Sequence, residues 1–163
     1  MNSGSTPRNR TINHTSLMDD YKAKLVTPQQ AVGFVRSDDT LFAGGGVNIP
    51  KAFCNALGAR ASELKNVTIL QGFAMGLYDH MKPEAKESFI IETMFVGPVE
   101  RICMEWGVGT YKPHSFSDLG NVALKAGPRV VAFSATPPDK DGYVNKSCFG
   151  SFLLKKSAWK RPR

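Results

Sequence analysis

Three consecutive glycines, Gly44 to Gly46, form the segment of this chain whose residue types could most readily do chemistry. They follow the apolar run 40–43 and precede Pro50, a residue that is typical of the first turn of a helix. Because glycine has no side chain, backbone N–H groups at such a turn can approach a ligand closely, next to the positive end of the following helix. A phosphate, a carboxylate or a thioester oxyanion could bind there. A tight turn that binds nothing would need the same glycines, so composition leaves both interpretations open.

The glycine segment does not fit the common nucleotide-binding motifs. A dinucleotide fingerprint that starts at Gly44 requires glycine at position 49, which is Ile49, and no Gly-Lys-Ser/Thr sequence follows to complete a P-loop. The histidines His14, His80 and His114 have no spacing typical of metal ligands, so no metal site is predicted. We expect His80 and His114 to lie at the surface.

The acidic residues form no evident catalytic pair, so the residue pattern predicts no catalytic carboxylate. We expect Glu100 and Glu105 to face solvent on a helix, because charged side chains are rarely buried. Glu92 interrupts an apolar run, which indicates an edge position or an outward-facing side of a strand.

The elements that must position these residues alternate between helices and strands. Thr27, Pro28 and Gln30 have the spacing of a capping box and predict a helix start. Short continuous apolar runs predict buried strands, and the alternation predicts an α/β fold with a mainly parallel sheet and helices on both faces. Ligands of such sheets bind at the carboxyl ends of the strands, where Gly44 to Gly46 lies. The predicted elements are helices from Thr27, from Pro50, over 98–106 and over 119–126, strands over 40–43, 67–70, 89–96 and 130–133, a helical turn over 83–87, a turn over 137–142 and a last strand that begins at Tyr143.

Charge is distributed unevenly along the 163 residues. The formal net charge is +7, and the segment 151–163 contributes five basic residues and no acid, so residues 1–150 carry +7 − 5 = +2. Residues 1–16 are polar, with few apolar anchors, and predict a mobile N-terminal arm. We therefore expect three parts: an arm over 1–16, one domain over 17–150 and a basic tail over 151–163.

The three cysteines, Cys54, Cys103 and Cys148, are far apart and form no CxxC pair. This spacing argues against a disulfide framework or a zinc site and is typical of a reducing compartment. The chain has no apolar N-terminal run and no apolar stretch long enough for a bilayer. We therefore expect a cytoplasmic protein without a membrane partner.

Five segments resemble, in order, the N-terminal half of the acetyl-CoA hydrolase/transferase family, especially the 4-hydroxybutyrate CoA-transferases. The resemblance covers the chain from about residue 20 to about residue 150. The segments are Tyr21-Lys22-Ala23-Lys24-Leu25-Val26-Thr27 with Ala31-Val32, the glycine turn with Pro50, Glu63-Leu64-Lys65-Asn66-Val67, Phe95-Val96-Gly97 with Arg101, and Pro137-Pro138-Asp139-Lys140-Asp141-Gly142-Tyr143.

The resemblance implies two related α/β domains of the NagB/CoA-transferase type, with the active site between them. It implies transfer of CoA between a short-chain acyl-CoA and a carboxylic acid of the acetate or 4-hydroxybutyrate type, or thioester hydrolysis. Coenzyme A would be a substrate, and no further cofactor is expected. A glutamate carboxylate would attack the acyl-CoA to form an anhydride, from which CoA would form a glutamyl-CoA thioester that passes CoA to the acceptor acid.

The resemblance also implies which groups would bind the substrate. The backbone of the glycine turn would line the pocket for the thioester, Asn48 would add a side-chain donor, and Arg101 would hold an acidic substrate or a CoA phosphate. A surface salt bridge explains Arg101 equally well. The implied binding residues are Gly44, Gly45, Gly46, Val47, Asn48 and Arg101.

Several positions depart from the family pattern. Pro98 replaces the family's second glycine after Phe95-Val96-Gly97, and the likeness fades after Val144. The family's nucleophilic glutamate belongs to the second domain, and no residue here matches it. We therefore expect a truncated N-terminal domain that is inactive alone.

Two other functions are open. The chain could be a non-catalytic acyl-CoA-binding subunit that pairs with a separate second-domain polypeptide or forms a homo-oligomer. It could also bind nucleic acid through the basic tail and Trp159, although the nearly neutral body argues against this.

Overall fold

The computed structural model describes residues 14–146, and in them five helices alternate with a five-stranded sheet. No helix among these residues is long and apolar enough to cross a membrane. Most of the predicted arm, residues 1–13, lies outside the described residues, as do residues 147–150 and the whole predicted tail. The helices are α1 (His14–Ala23), α2 (Pro28–Val32), α3 (Lys51–Gly58), α4 (Pro98–Glu105) and α5 (Leu119–Lys125), and the strands are β1 (Thr40–Gly45), β2 (Val67–Gly72), β3 (Phe89–Thr93), β4 (Gly109–Tyr111) and β5 (Val130–Val131).

The strands form one sheet in the order β4-β3-β2-β1-β5, and all four neighbouring pairs are parallel. β1 lies between β2 and β5, since Leu41 is paired with both Ile69 and Val130. Because every strand runs in the same direction, the loops that follow the strands gather at one edge of the sheet. This edge, called the carboxyl edge below, holds the glycine turn.

The two faces of the sheet are covered by different helices. Leu41 and Ile69 belong to the main core cluster, which includes Leu57 of α3. Phe42 and Leu70, the next residues along each strand, contact Ala123 of α5 in a second cluster. Side chains alternate between the faces of a strand, so this division confirms the predicted α/β architecture with helices on both faces.

The predicted capping box starts α2. The Gln30 N–H donates to Thr27 Oγ1 at 3.2 Å, and the Thr27 N–H donates to Gln30 Oε1 at 2.9 Å. The helix ends earlier than its apolar pattern suggests, at Val32. Phe34, which follows the helix, is therefore exposed, whereas Val35 is buried after the chain has turned.

The predicted strand at Tyr143 does not form among the described residues. Asp139 Oδ1 accepts the N–H groups of Asp141 and Tyr143, both at 2.9 Å, and this holds the chain in the predicted turn. β3 ends at Thr93 rather than at residue 96. Two elements, α1 and β4, were not predicted, because α1 is polar in composition and β4 has only three residues without an apolar run.

Candidate functional site

The glycine turn begins inside β1, whose last residues are Gly44 and Gly45. Gly44 and Gly46 have φ values of 69° and 57°, in the left-handed region that favours glycine. A Cβ on Gly44 would lie 2.8 Å from the carbonyl oxygen of Asn48. The backbone of the turn thus folds back on itself more closely than any side chain would permit.

The amides of the turn are not equivalent. The Gly46 N–H donates to the carbonyl oxygen of Phe73 at 3.1 Å, and the Ile49 N–H donates to the carbonyl oxygen of Gly46 at 3.3 Å. Residues Gly46–Asn48 form one turn of 3-10 helix, and no described hydrogen bond uses the Val47 N–H. Val47 is also the exposed residue of the turn, at 52% of its surface. Of the predicted backbone donors, the Gly46 N–H is therefore occupied, and the role of the Val47 N–H as a donor to a ligand stays a prediction.

Asn48 is buried at the end of the turn. Its backbone carbonyl accepts the Ser134 N–H at 2.8 Å, which joins the loop after β1 to the segment after β5. Burial places the Asn48 side chain inside the protein, and its predicted role as a donor to substrate stays a prediction.

Arg101 lies in the first turns of α4 and is exposed. No described contact joins its side chain to the glycine turn. The structure brings the glycines, Val47 and Asn48 together in one turn, and the predicted role of Arg101 stays a prediction.

Glu100 is a buried carboxylate at this edge that sequence analysis placed in solvent. It is 1% exposed, and it accepts the Ala74 N–H at 2.5 Å through Oε1 and the Gly97 N–H at 2.9 Å through Oε2. The prediction was wrong because Glu100 is the third residue of α4, where a glutamate turns back to the N-cap amide. The sequence signal for this capping contact was Gly97-Pro98 with a glutamate two residues later. Glu105, at the other end of α4, is exposed as expected.

His80 was also predicted at the surface, and this was wrong. Its ring is buried, with Nε2 2.9 Å from Gln71 Oε1 and Nδ1 3.3 Å from the carbonyl oxygen of Cys54. The segment that carries His80 packs onto α3 at Gly58, where a Cβ would lie 2.5 Å from Asp79 Cβ. Glycine therefore permits the close approach that buries the ring, and burial lowers the pKa of His80 to about 4. His114 is exposed, as expected.

The two described cysteines, Cys54 and Cys103, are buried free thiols. Burial raises the pKa of Cys54 to about 12 and that of Cys103 to about 11. Both thiols are therefore protonated and unreactive at neutral pH. Among the described residues, no group of three or more His, Cys, Asp or Glu side chains could hold a metal ion.

Comparisons with known proteins relate the sequence of this chain to CoA-transferases. Residues 9–154 match the family model of the acetyl-CoA hydrolase/transferase N-terminal domain. The chain is 29% identical over 133 residues to the butyryl-CoA:acetate CoA-transferase of Anaerostipes caccae, a match that covers 80% of this chain and 30% of that protein. It is 26% identical over 127 residues to the 4-hydroxybutyrate coenzyme A transferase of Clostridium kluyveri, with coverage of 77% and 30%.

Solved structures show the same fold. The crystal structure of RipA from Yersinia pestis superposes with a TM-score of 0.71 at 24% identity, over 82% of this chain and 33% of that one. The chain thus spans about 30% of the length of the curated relatives that it matches.

Proposed function

Because this chain belongs to the acetyl-CoA hydrolase/transferase family, we propose that it is the N-terminal, acyl-CoA-binding domain of a CoA-transferase. The domain corresponds to the predicted range 17–150. Its substrates are a short-chain acyl-CoA and a carboxylic acid, in line with the names of the relatives from Anaerostipes caccae and Clostridium kluyveri.

The observation that carries this proposal is the glycine turn, in which Val47 is exposed and no described hydrogen bond uses its N–H group. When a nucleophile attacks the thioester carbon, negative charge develops on the carbonyl oxygen, and a fixed N–H donor stabilises it. Val47 offers that donor at the carboxyl edge of a parallel sheet, where ligands of such sheets bind. The left-handed glycines on either side of Gly45 keep the turn free of side chains that would block the approach.

The nucleophile in this proposal is a carboxylate of a second domain. Glu100 is a carboxylate at the carboxyl edge, and both of its oxygens accept backbone N–H groups inside the protein. It is therefore not available to attack a thioester. The attacking carboxylate displaces CoA from the acyl carbon, and the acyl group forms an anhydride with it.

A turnover experiment tests this assignment. The purified chain is incubated with acetyl-CoA and butyrate, and butyryl-CoA is measured by chromatography. We expect no sustained butyryl-CoA formation above the buffer blank. Multiple turnovers by the chain alone would show that it holds its own nucleophile.

A second candidate function is a non-catalytic subunit that pairs with a separate catalytic polypeptide. It is favoured by the exposed apolar side chains at the carboxyl edge, since soluble monomers rarely leave such side chains grouped. These are Val47 with Phe73, Met75 and Leu77 of the following loop. Purification of the tagged chain from its own cells should then recover a CoA-transferase polypeptide that lacks an N-terminal domain. Recovery of the chain within one long polypeptide would exclude a separate subunit.

A further inference from the structure

Glu100 connects two loops of the carboxyl edge that lie far apart in sequence. Its carboxylate is 1% exposed, and a buried carboxylate must be compensated by strong hydrogen bonds. One oxygen accepts the N–H of Gly97, in the loop after β3, and the other accepts the N–H of Ala74, in the loop after β2. The contact to Ala74 spans 26 residues, so Glu100 does more than cap its own helix.

The loop that Glu100 holds is the one that contacts the glycine turn. Ala74 follows Phe73, and the carbonyl oxygen of Phe73 accepts the Gly46 N–H at 3.1 Å. Phe73 has a φ of 55°, a left-handed conformation that costs free energy for a residue with a side chain. Such a conformation persists only when neighbouring contacts enforce it, and the bond from Ala74 to Glu100 is one of these contacts.

We infer that Glu100 is the positioning residue of the glycine turn. Its carboxylate fixes the Phe73-Ala74 peptide, whose carbonyl holds the Gly46 N–H and thereby orients the next amide, that of Val47. Glu100 itself does not touch the ligand. This inference rests on the proposed function only for the identity of the ligand, because the chain of hydrogen bonds from Glu100 to Gly46 can be tested without one.

Two variants disturb the carboxylate in different ways. Glu100→Gln keeps the shape but replaces one acceptor oxygen by an NH2 group, which cannot accept a backbone N–H. Gly97→Ala keeps the charge, but its methyl group would lie 2.8 Å from Glu100 Oε2 and displace it. Glu105→Gln is the matched control, since it removes the same charge from an exposed position of the same helix.

The first measurement is amide hydrogen exchange by NMR without ligand. In the unchanged chain, we expect the Gly46 amide to be protected. In Glu100→Gln and Gly97→Ala we expect this protection to be lost, while the amide of Ile69 in the core stays protected. In Glu105→Gln all amides should keep their protection. If both carboxylate variants fold and retain a protected Gly46 amide, Glu100 does not position the turn.

The second measurement is the affinity for butyryl-CoA, determined by titration calorimetry. We expect the dissociation constant to rise about tenfold in both carboxylate variants, as for the loss of one hydrogen bond to a charged group, and to stay unchanged in Glu105→Gln. Unchanged affinity in variants that have lost Gly46 protection would overturn the inference. If the unchanged chain does not bind butyryl-CoA, the proposed function fails, and the exchange data still decide whether Glu100 holds the turn. If Glu100→Gln does not fold, Gly97→Ala, which keeps the carboxylate, decides whether Glu100 positions the turn.

Discussion

A single buried side chain, His80, makes the free energy of unfolding depend on pH. The buried ring has a pKa of about 4, whereas an unfolded chain exposes it with a value near 6.5. The unfolded state therefore binds more protons between these two values, and the free energy of unfolding falls as the pH falls from 6.5 towards 4. The stabilisation that is lost amounts to about 3 kcal/mol.

We predict that replacing His80 by Gln flattens this dependence. His80→Gln should lower the stability at pH 7, because the ring leaves its packing against Tyr78 and Phe89. It should also remove most of the slope between pH 6.5 and pH 4, as measured by urea unfolding at several pH values. His114→Gln, a change of an exposed histidine, should keep the original slope. An unchanged slope in His80→Gln would contradict the assignment to the buried ring.

Gly44 is a second single residue on which the backbone conformation of the glycine turn depends. Gly44→Ala adds a methyl group 2.8 Å from the Asn48 carbonyl oxygen and forces alanine into a φ of 69°. We predict a loss of about 1–3 kcal/mol in unfolding free energy, together with weaker binding of butyryl-CoA. The control is Gly76→Ala, because a Cβ at Gly76 meets nothing within 4 Å. Equal urea midpoints for the two variants would show that the turn is not strained.

At the scale of elements, an ion pair between Arg129 and Asp39 links the start of the edge strand β5 to the chain before β1. Arg129 donates to both carboxylate oxygens of Asp39, at 2.5 and 2.6 Å, and its backbone N–H donates to the Thr40 carbonyl at 2.8 Å. Asp39 also accepts the Arg36 N–H at 2.7 Å. Since β5 has only two residues, these bonds supply much of what holds it in the sheet.

We predict that Arg129→Gln lowers the free energy of unfolding, because it leaves the Asp39 carboxylate without its charged partner. The hydrogen bond from Arg129 lowers the pKa of Asp39 below 3.8, so the contribution is present above that pH and is lost as the pH falls through the lowered value. The difference from the unchanged chain should therefore be full at pH 7 and shrink below pH 3.8. Arg101→Gln should change stability little, and a similar loss there would point to net charge rather than to the pair.

The elements that sequence predicted share strong local signals. The capping box at Thr27, the apolar runs of β1 and β2 and the prolines at the starts of α3 and α4 are short-range patterns, and the structure contains all of these elements. The environment of His80 was missed because it depends on a contact with Cys54, 26 residues away. For Glu100, the bond to Gly97 has a local sequence signal, but the bond to Ala74 spans 26 residues and has none. Likewise, the glycine run predicted a turn, but only the contact with Phe73 shows which of its amides is occupied.

At the scale of the whole molecule, hydrogen bonds join the loops of the carboxyl edge into one unit. The loops after β1, β2 and β3 are joined there by the Gly46–Phe73, Ala74–Glu100 and Gly97–Glu100 hydrogen bonds, and Ser134 adds the segment after β5. A parallel sheet makes this possible, because it brings four separate loops to one side. The family resemblance implies the chemistry, and in the proposed function the Val47 amide is the donor of the turn.

The most direct test of that account is an NMR titration of the chain with butyryl-CoA, in which every backbone amide is followed. We predict a saturable shift of the Val47 amide that free coenzyme A, which lacks the thioester carbonyl, does not reproduce. Shifts that are absent from the glycine turn at saturating butyryl-CoA, or that are the same with free coenzyme A, would contradict the assignment of the turn as the thioester-binding site.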